Sequence, residues 1–126
     1  MNILSTTLND AGDRLEHGGF AVPLAPETAA RLRERRGRGV LLGIRPEHVA
    51  EAGSTDWPST TRLSGVIEIV ETVGHEVIVH VRCGEDLVVA KLGAHRIPGF
   101  GDEMTLEMKN DAVHLFDPDT ELNLTT

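Results

Sequence analysis

The chain has 126 residues, which is enough for one domain around one hydrophobic core. Its formal net charge of -8 opposes binding to nucleic acid or to an anionic membrane surface, because both attractions depend on Lys and Arg. The aromatic side chains on which single-stranded bases would stack are scarce: Phe20, Trp57, Phe100 and Phe116. We therefore expect no nucleic-acid partner.

The single cysteine, Cys83, excludes an internal disulfide and is typical of a reducing compartment. No apolar run approaches the ~20 residues that span a bilayer. The segment 1–8 lacks the basic region of a signal peptide. We expect a soluble cytoplasmic protein with no direct membrane insertion.

The first quarter of the chain predicts two short strands and a turn. Residues 3–8 are β-prone, and the Asn, Asp and Gly residues of segment 9–13 favour a turn. A second, weaker strand covers Phe20 to Leu24. Pro23 cannot donate a backbone hydrogen bond, so this strand is expected at a sheet edge.

Pro26 to Arg36 is the one predicted helix. Pro26 suits a first helical turn, Glu27 complements the positive end of the helix dipole, and Gly37 favours a stop. Four arginines follow towards the C-terminal end: Arg31, Arg33, Arg35 and Arg36. They are open to interpretation as a nucleic-acid patch, but a solvated helix face that pairs with the negative end of the dipole explains them better.

Residues 40–44 are nearly all apolar, which predicts a strand covered on both faces. Arg45 precedes a proline and is therefore biased towards an extended conformation. Pro46, Glu47 and His48 then have the composition of a short helix start. The segment 51–61 is polar and predicts a surface loop.

The second half alternates apolar and polar residues at strand period. It predicts strands over 63–73, 76–83, 87–92, 104–108 and 113–116. Gly65 suggests a bend or bulge, the alternation changes phase near Glu71, and Gly74-His75 indicates a hairpin. Short strands at about ten-residue spacing predict a small all-β barrel or sandwich, and barrel closure would remove exposed strand edges.

Catalytic and metal-binding patterns are missing from the sequence. Six histidines occur outside any recognised ligand spacing: His17, His48, His75, His80, His95 and His114. No serine lies in a nucleophile elbow, and no phosphate loop is present. We predict no catalytic, cofactor or metal site in this chain.

Several carboxylates of the second half suggest an acidic surface: Glu68, Glu71, Glu76, Asp102 and Glu103. Solvated charge that supports solubility explains them. A patch on which a partner docks is the alternative.

Three blocks carry a family resemblance. They are residues 42–48 (LGIRPEH), residues 65–76 (GVIEIVETVGHE) and residues 114–117 (HLFD). They resemble the C-terminal regulatory domain of ABC importer ATP-binding subunits of the maltose, multiple-sugar and glycerol-3-phosphate type, and residues 1–4 resemble the segment that follows the nucleotide-binding domain. The resemblance implies an OB-like β-barrel of the TOBE type, with one or two short helices.

The same resemblance implies a function. Residues 1–126 would be a single regulatory domain of a longer ATPase subunit, whose upstream nucleotide-binding domain holds ATP and Mg. The expected partners are a second copy in a homodimer, the permease subunits and a regulatory protein. The subunit would lie in the cytoplasm, peripheral to the inner face of the cell membrane.

Two groups of residues are carried over as candidate sites. Arg45, Pro46, Glu47 and His48 would form an interdomain corner, in which Arg45 pairs with a carboxylate. A partner or dimer surface would include Gly74, His75, Glu76, His114 and Phe116. Maintenance of the fold is the alternative role for all of them.

A free-standing barrel that binds an oxyanion or a sugar phosphate is the alternative function. Such an anion needs backbone donors or a basic pocket. The available cations are Arg62, Arg82, Lys91 and Arg96.

Overall fold

The computed structural model describes residues 1–93 and 97–124 of the chain. It confirms an all-β, OB-like fold with one short α-helix. The strands are β1 (Asn2–Leu8), β2 (Arg14–His17), β3 (Phe20–Pro23), β4 (Gly39–Ile44), β5 (Val49–Glu51), β6 (Thr60–Val73), β7 (Glu76–Cys83), β8 (Asp86–Gly93), β9 (Glu103–Lys109) and β10 (His114–Phe116). The helix α1 is Pro26–Arg31.

The strands form two antiparallel five-stranded sheets. Sheet I has the order β10-β4-β1-β2-β3, and sheet II has the order β5-β9-β6-β7-β8. In β1, residues alternate strictly between buried and exposed. β3 lies at the edge of sheet I, as Pro23 predicted.

Sheet II is built from two tight hairpins and a long curled strand. Gly74 and Gly84 have φ values of 59° and 62°, which lets two-residue turns join β6 to β7 and β7 to β8. The register of β6 against β7 shifts between Ile67 and Ile69. The bulge therefore lies at Glu68. The sequence suggested a bend or bulge at Gly65 and a change of alternation near Glu71, so both predictions were wrong by a few residues.

Gly65 instead allows the backbones of β6 and β7 to approach each other closely. A Cβ atom at this position would stand 2.1 Å from the Arg82 carbonyl oxygen of β7. With this tight contact and the bulge, sheet II curls until its edge strands β5 and β8 lie against each other. The sheet is a nearly closed barrel.

The first half differs from prediction in three elements. The helix ends at Arg31, and residues 33–35 form only a 3-10 turn, because Leu32 is the one fully buried side chain of the segment. β2 and β5 were not predicted. Each is three or four residues long with few apolar side chains, and each is stabilised by pairing with neighbouring strands.

Aliphatic side chains from both sheets form one core, which includes Leu4, Leu42, Ile67, Val79 and Leu106. Among the described residues, no helix is long and apolar enough to cross a membrane.

Asn2 and His17 make polar contacts that join the sheets. The Asn2 amide of β1 donates to the Val89 carbonyl at 2.9 Å and accepts from the Val89 N–H at 2.8 Å, so it pairs with the edge of β8 as a strand would. His17 Nε2 lies 2.6 Å from Asp86 Oδ2, and the Gly19 N–H donates to His17 Nδ1 at 3.1 Å. Nδ1 is therefore an acceptor, and Nε2–H donates a hydrogen bond to the Asp86 carboxylate.

Candidate interaction surface

The predicted corner is a 3-10 turn over Pro46–His48 that connects β4 to β5. The His48 N–H donates to the Arg45 carbonyl at 2.9 Å, and the turn packs against β8. Arg45 is exposed and has no ion-pair partner within the described part of the chain. The short helical start is confirmed, while an interdomain role for these four residues stays a prediction.

The five residues proposed for a partner surface fall into two groups. Gly74, His75 and Glu76 are exposed at the tip of the β6–β7 hairpin of sheet II, where Glu76 lies 3.6 Å from Lys91. His114 and Phe116 belong to β10, at the edge of sheet I. The structure therefore places them on different sheets, and they do not form one continuous row.

The outer face of sheet I carries two cross-strand rows from β1, β4 and β10. Ile3, Gly43 and His114 lie opposite one another in one row, and Ser5, Leu41 and Phe116 in the next. None of these side chains carries a formal charge when the histidine is neutral. We call the surface formed by Met1, Ile3, Leu41, Gly43 and Phe116 the apolar face.

The apolar face depends on Gly43. A Cβ at this position would stand 2.8 Å from Phe116 Cε2 and 3.2 Å from the Met1 sulfur, so both side chains lie directly over the glycine. Met1 and Ile3 are 58% and 48% exposed, although both are large and apolar. Such a cluster on the outside of a sheet is typical of a contact surface.

Sequence reasoning found Phe116 but missed the rest of this face. The available signal was Ile3, an aliphatic side chain in the outward phase of a strand whose inward residues are Leu4 and Leu8. The contribution of Met1 had no signal in the sequence, because it depends on the position of Met1 over Gly43 of β4, which is distant along the chain.

The outer face of sheet II is different. Ile69, His80 and Val89 form one cross-strand row, and Glu71, Ile78 and Lys91 form the next. Ion pairs join Arg82 to Glu68 at 3.0 Å and Lys91 to Glu76 at 3.6 Å. We call this surface, together with the exposed Val66 and Val73, the mixed face.

The predicted cations do not converge into an anion site in the described residues. Arg82 donates to Glu68 and to the Glu85 carbonyl, Lys91 pairs with Glu76, and Arg62 lies on β6. Arg96 lies outside the described residues. The described residues also hold no cluster of His, Cys, Asp or Glu suited to a metal ion.

Cys83 is fully buried in β7. Burial, and secondarily the negative charge of Asp86, raises the pKa of its thiol to about 11. The thiol is therefore protonated at neutral pH.

Asp117 organises the segment that follows β10. The Thr120 N–H, the Arg35 guanidinium and the Asp119 N–H all bond its carboxylate, and they hold the pKa of that carboxyl well below its usual range. The Leu124 N–H then donates to the Leu115 carbonyl at 2.7 Å. The chain therefore returns along the outer edge of β10, where Asn123 forms a backbone bridge with Phe116.

Comparison with known families identifies the chain. The TOBE domain family matches residues 42–116, from the end of β4 to β10. The MalK OB fold domain matches residues 1–49. The chain belongs to the TOBE domain family.

Two relatives are ATP-binding proteins of import or transport systems. The chain is 32% identical over 123 residues to the sn-glycerol-3-phosphate import ATP-binding protein UgpC of Salmonella typhimurium, with 95% of this chain and 32% of the relative covered. It is 31% identical over 125 residues to the sulfoquinovosyl glycerol transport ATP-binding protein SmoE of Agrobacterium fabrum, with 98% and 33% covered. The chain thus spans about a third of the length of these relatives.

Among solved structures, the chain is similar to the cytoplasmic molybdate-binding protein ModG with molybdate bound. The TM-score is 0.70 at 16% identity, with 93% of this chain and 96% of that chain covered. This similarity concerns the fold.

Proposed function

We propose that the chain is the C-terminal regulatory domain of the ATP-binding subunit of an ABC importer for sugars or glycerol-3-phosphate-like solutes. The observation that carries the proposal is the match to UgpC and SmoE over nearly the whole of this chain. Membership of the TOBE domain family supports it. Residues 1–126 are then one regulatory domain, and a nucleotide-binding domain elsewhere in the subunit holds ATP and Mg.

In this role the domain performs no chemistry. It pairs two ATP-binding subunits as a homodimer and transmits regulation to the transport cycle. The permease subunits keep the complex at the inner face of the cell membrane, so the domain stays in the cytoplasm. A regulatory protein is a further partner, and the corner at Arg45–His48 would orient the domain against the rest of the subunit.

The test is the size and activity of the native gene product. An antibody raised against this chain should detect a polypeptide about three times its 13.7 kDa, because the chain is 32% of the length of UgpC. Immunoprecipitates should hydrolyse ATP and contain membrane permease subunits. A band at 13.7 kDa without ATPase activity would contradict the proposal.

That second outcome would favour the alternative, a free-standing barrel that binds an oxyanion or a sugar phosphate. The fold shared with ModG is the observation behind it. Calorimetric titration with molybdate, sulfate and glycerol 3-phosphate separates the two. The importer role predicts no heat of binding, and the barrel role predicts saturable heat with one of the three anions.

A further inference from the structure

We infer that His17 is a proton-sensitive switch at the junction of the two sheets. In its neutral form the imidazole holds the β2–β3 turn of sheet I against β8 of sheet II, and a proton on Nδ1 releases the turn. The ring joins the Gly19 N–H to the Asp86 carboxylate. The inference goes beyond the proposed function and does not rest on it, because every contact involved lies within this chain.

The ring of His17 is held in one orientation by neighbours on both sheets. His17 ends β2, and its side chain is only 5% exposed. The ring stacks on Phe20 of β3, with centroids 4.4 Å apart and planes 14° apart. Its Cε1 also lies close to the β7–β8 turn, because a Cβ atom at Gly84 would stand 3.4 Å away. A change in the hydrogen bonds of this ring therefore acts on elements of both sheets.

The neutral ring uses both of its nitrogens. Nδ1 accepts from the Gly19 N–H at 3.1 Å, and Nε2 lies 2.6 Å from Asp86 Oδ2. A backbone N–H only donates and an ionised carboxylate only accepts. The two partners together therefore select the tautomer with its proton on Nε2.

A second proton has to bind at Nδ1, which turns this acceptor into a donor. The new N–H then faces the Gly19 N–H, so the hydrogen bond between them is lost. The other two contacts persist, because the Asp86 carboxylate attracts an imidazolium and the face of the Phe20 ring interacts favourably with a cation. Protonation thus breaks the contact with the turn and keeps the contact with β8.

His17 is the group at this junction that changes charge between pH 8 and pH 5.5. Carboxylates and arginines keep their charge in this range, whereas histidine ordinarily titrates within it. The pKa of the Cys83 thiol is raised to about 11, so this neighbour stays neutral. The titratable or charged groups nearest the ring on the elements packed against it are Arg14 and Glu16 of β2, Arg82 and Cys83 of β7, Glu85 of the β7–β8 turn and Asp86 of β8, and β3 has none.

The contacts of these groups leave Nδ1 to the Gly19 N–H. Arg14 pairs with Glu16 at 3.7 Å on the exposed side of β2. Arg82 donates to the Glu85 carbonyl at 3.1 Å. The carboxylate that contacts the ring is Asp86, and it does so at Nε2.

The β2–β3 turn depends strongly on its bond to the imidazole. Gly18 and Gly19 form this exposed two-residue turn between the paired residues His17 and Phe20. A Cβ atom at Gly18 would meet no atom of the described residues within 4 Å. Glycine has the greatest backbone freedom, so the turn should become mobile once the bond is lost. The pairing of β2 with β3 does not involve the imidazole and should remain.

Nitrogen NMR of the histidine rings in the full chain tests the first step. At pH 8 the neutral His17 ring should carry its proton on Nε2 alone, and both nitrogens should be protonated at pH 5.5. His75 is the internal control, since it is exposed and has no partner among the described residues, and it should show both neutral tautomers. A neutral His17 ring with its proton on Nδ1, or one that stays neutral at pH 5.5, would overturn the inference.

Amide exchange tests the release of the turn. Exchange of the Gly19 N–H with water, corrected for its intrinsic pH dependence, should become roughly 10-fold faster between pH 8 and pH 5.5, as expected for the loss of one hydrogen bond. Circular dichroism should show unchanged sheet content over the same range. A corrected rate that does not change with pH, or one that rises together with a loss of sheet, would contradict the inference.

His17→Gln and His75→Gln form a matched pair of variants. Glutamine offers a carbonyl and an N–H to the same partners but does not titrate. The pH step at Gly19 should therefore disappear in His17→Gln and persist in His75→Gln. An equal step in both variants would show that another group drives it. If His17→Gln fails to fold, the ring tautomer and the Gly19 exchange of the wild type decide the question.

Discussion

The outer faces of the two sheets follow the same alternation of residues yet have different surfaces. On sheet I, β1 and β4 place Ile3 and Leu41 outwards, and Phe116 lies over Gly43 without any charged neighbour in its row. On sheet II, aliphatic residues such as Ile69 are interleaved with ion pairs, for example Arg82 with Glu68. The charges that lie between the outward apolar residues, rather than the number of those residues, therefore distinguish the two faces.

A glycine is decisive in each sheet, for different reasons. Gly65 lets the backbones of β6 and β7 approach as sheet II curls, whereas Gly43 lets two side chains lie flat on sheet I. Gly65 thus permits sheet II to curl into a barrel. Gly43 leaves room for side chains on the open outer face of sheet I, and the segment after β10 covers the edge of that sheet.

The largest expected effect is that of Gly65→Ala. Its Cβ would stand 2.1 Å from the Arg82 carbonyl oxygen, and backbone atoms cannot move away without opening the sheet. We expect the free energy of unfolding in urea to fall by about 3 kcal/mol. Gly43→Ala is the matched control and should cost only about 1 kcal/mol, because a phenylalanine ring and a methionine can shift. Equal losses in the two variants would remove the distinction between the two glycines.

A smaller effect is expected at the bond between the sheets. Asn2→Ala leaves the Val89 N–H and carbonyl without their partner on β1, which should cost about 2 kcal/mol. Thr6→Val removes a hydroxyl that donates to the Val40 carbonyl within sheet I, and it should cost about 1 kcal/mol. Amide exchange at Val89 should accelerate only in Asn2→Ala. Unchanged exchange there would show that the edge of β8 does not depend on Asn2.

The smallest effect concerns the turn that Asp117 forms after β10, and it depends on pH. The folded pKa of Asp117 lies below the unfolded value of about 3.9, so the turn stabilises the fold above that pH and loses this contribution as the pH falls towards the folded pKa. Asp117→Asn should melt at a lower temperature than the wild type at pH 7. The difference should narrow progressively as the pH falls below about 4, because the unfolded chain then takes up a proton that the folded carboxylate does not. A constant difference across this range would mean that the charge of Asp117 is not what stabilises the turn.

Much of the fold follows from the sequence, because local patterns determine it. Alternation predicted β7 and β9, β-prone apolar runs predicted β1 and β8, and Gly74-His75 predicted the hairpin between β6 and β7. The family blocks placed the chain in the TOBE domain family, which the comparison confirmed. These features depend on residues that are close together along the chain.

Other features were decided only by the tertiary structure. β2 and β5 exist because neighbouring strands pair with them, and the helix ends early because only Leu32 of its segment finds a place in the core. The bulge at Glu68, which helps sheet II to curl, lies a few residues from the positions that the local pattern suggested.

For the candidate surface, the sequence by itself determined the strand that carries Phe116 and the outward phase of Ile3. Only the tertiary structure placed Met1 and Phe116 together over Gly43, and it moved Gly74–Glu76 to the other sheet. The physical reason is that cross-strand rows join residues that are far apart in the sequence. A local pattern determines which way a side chain points, but strand order determines which side chains become its neighbours.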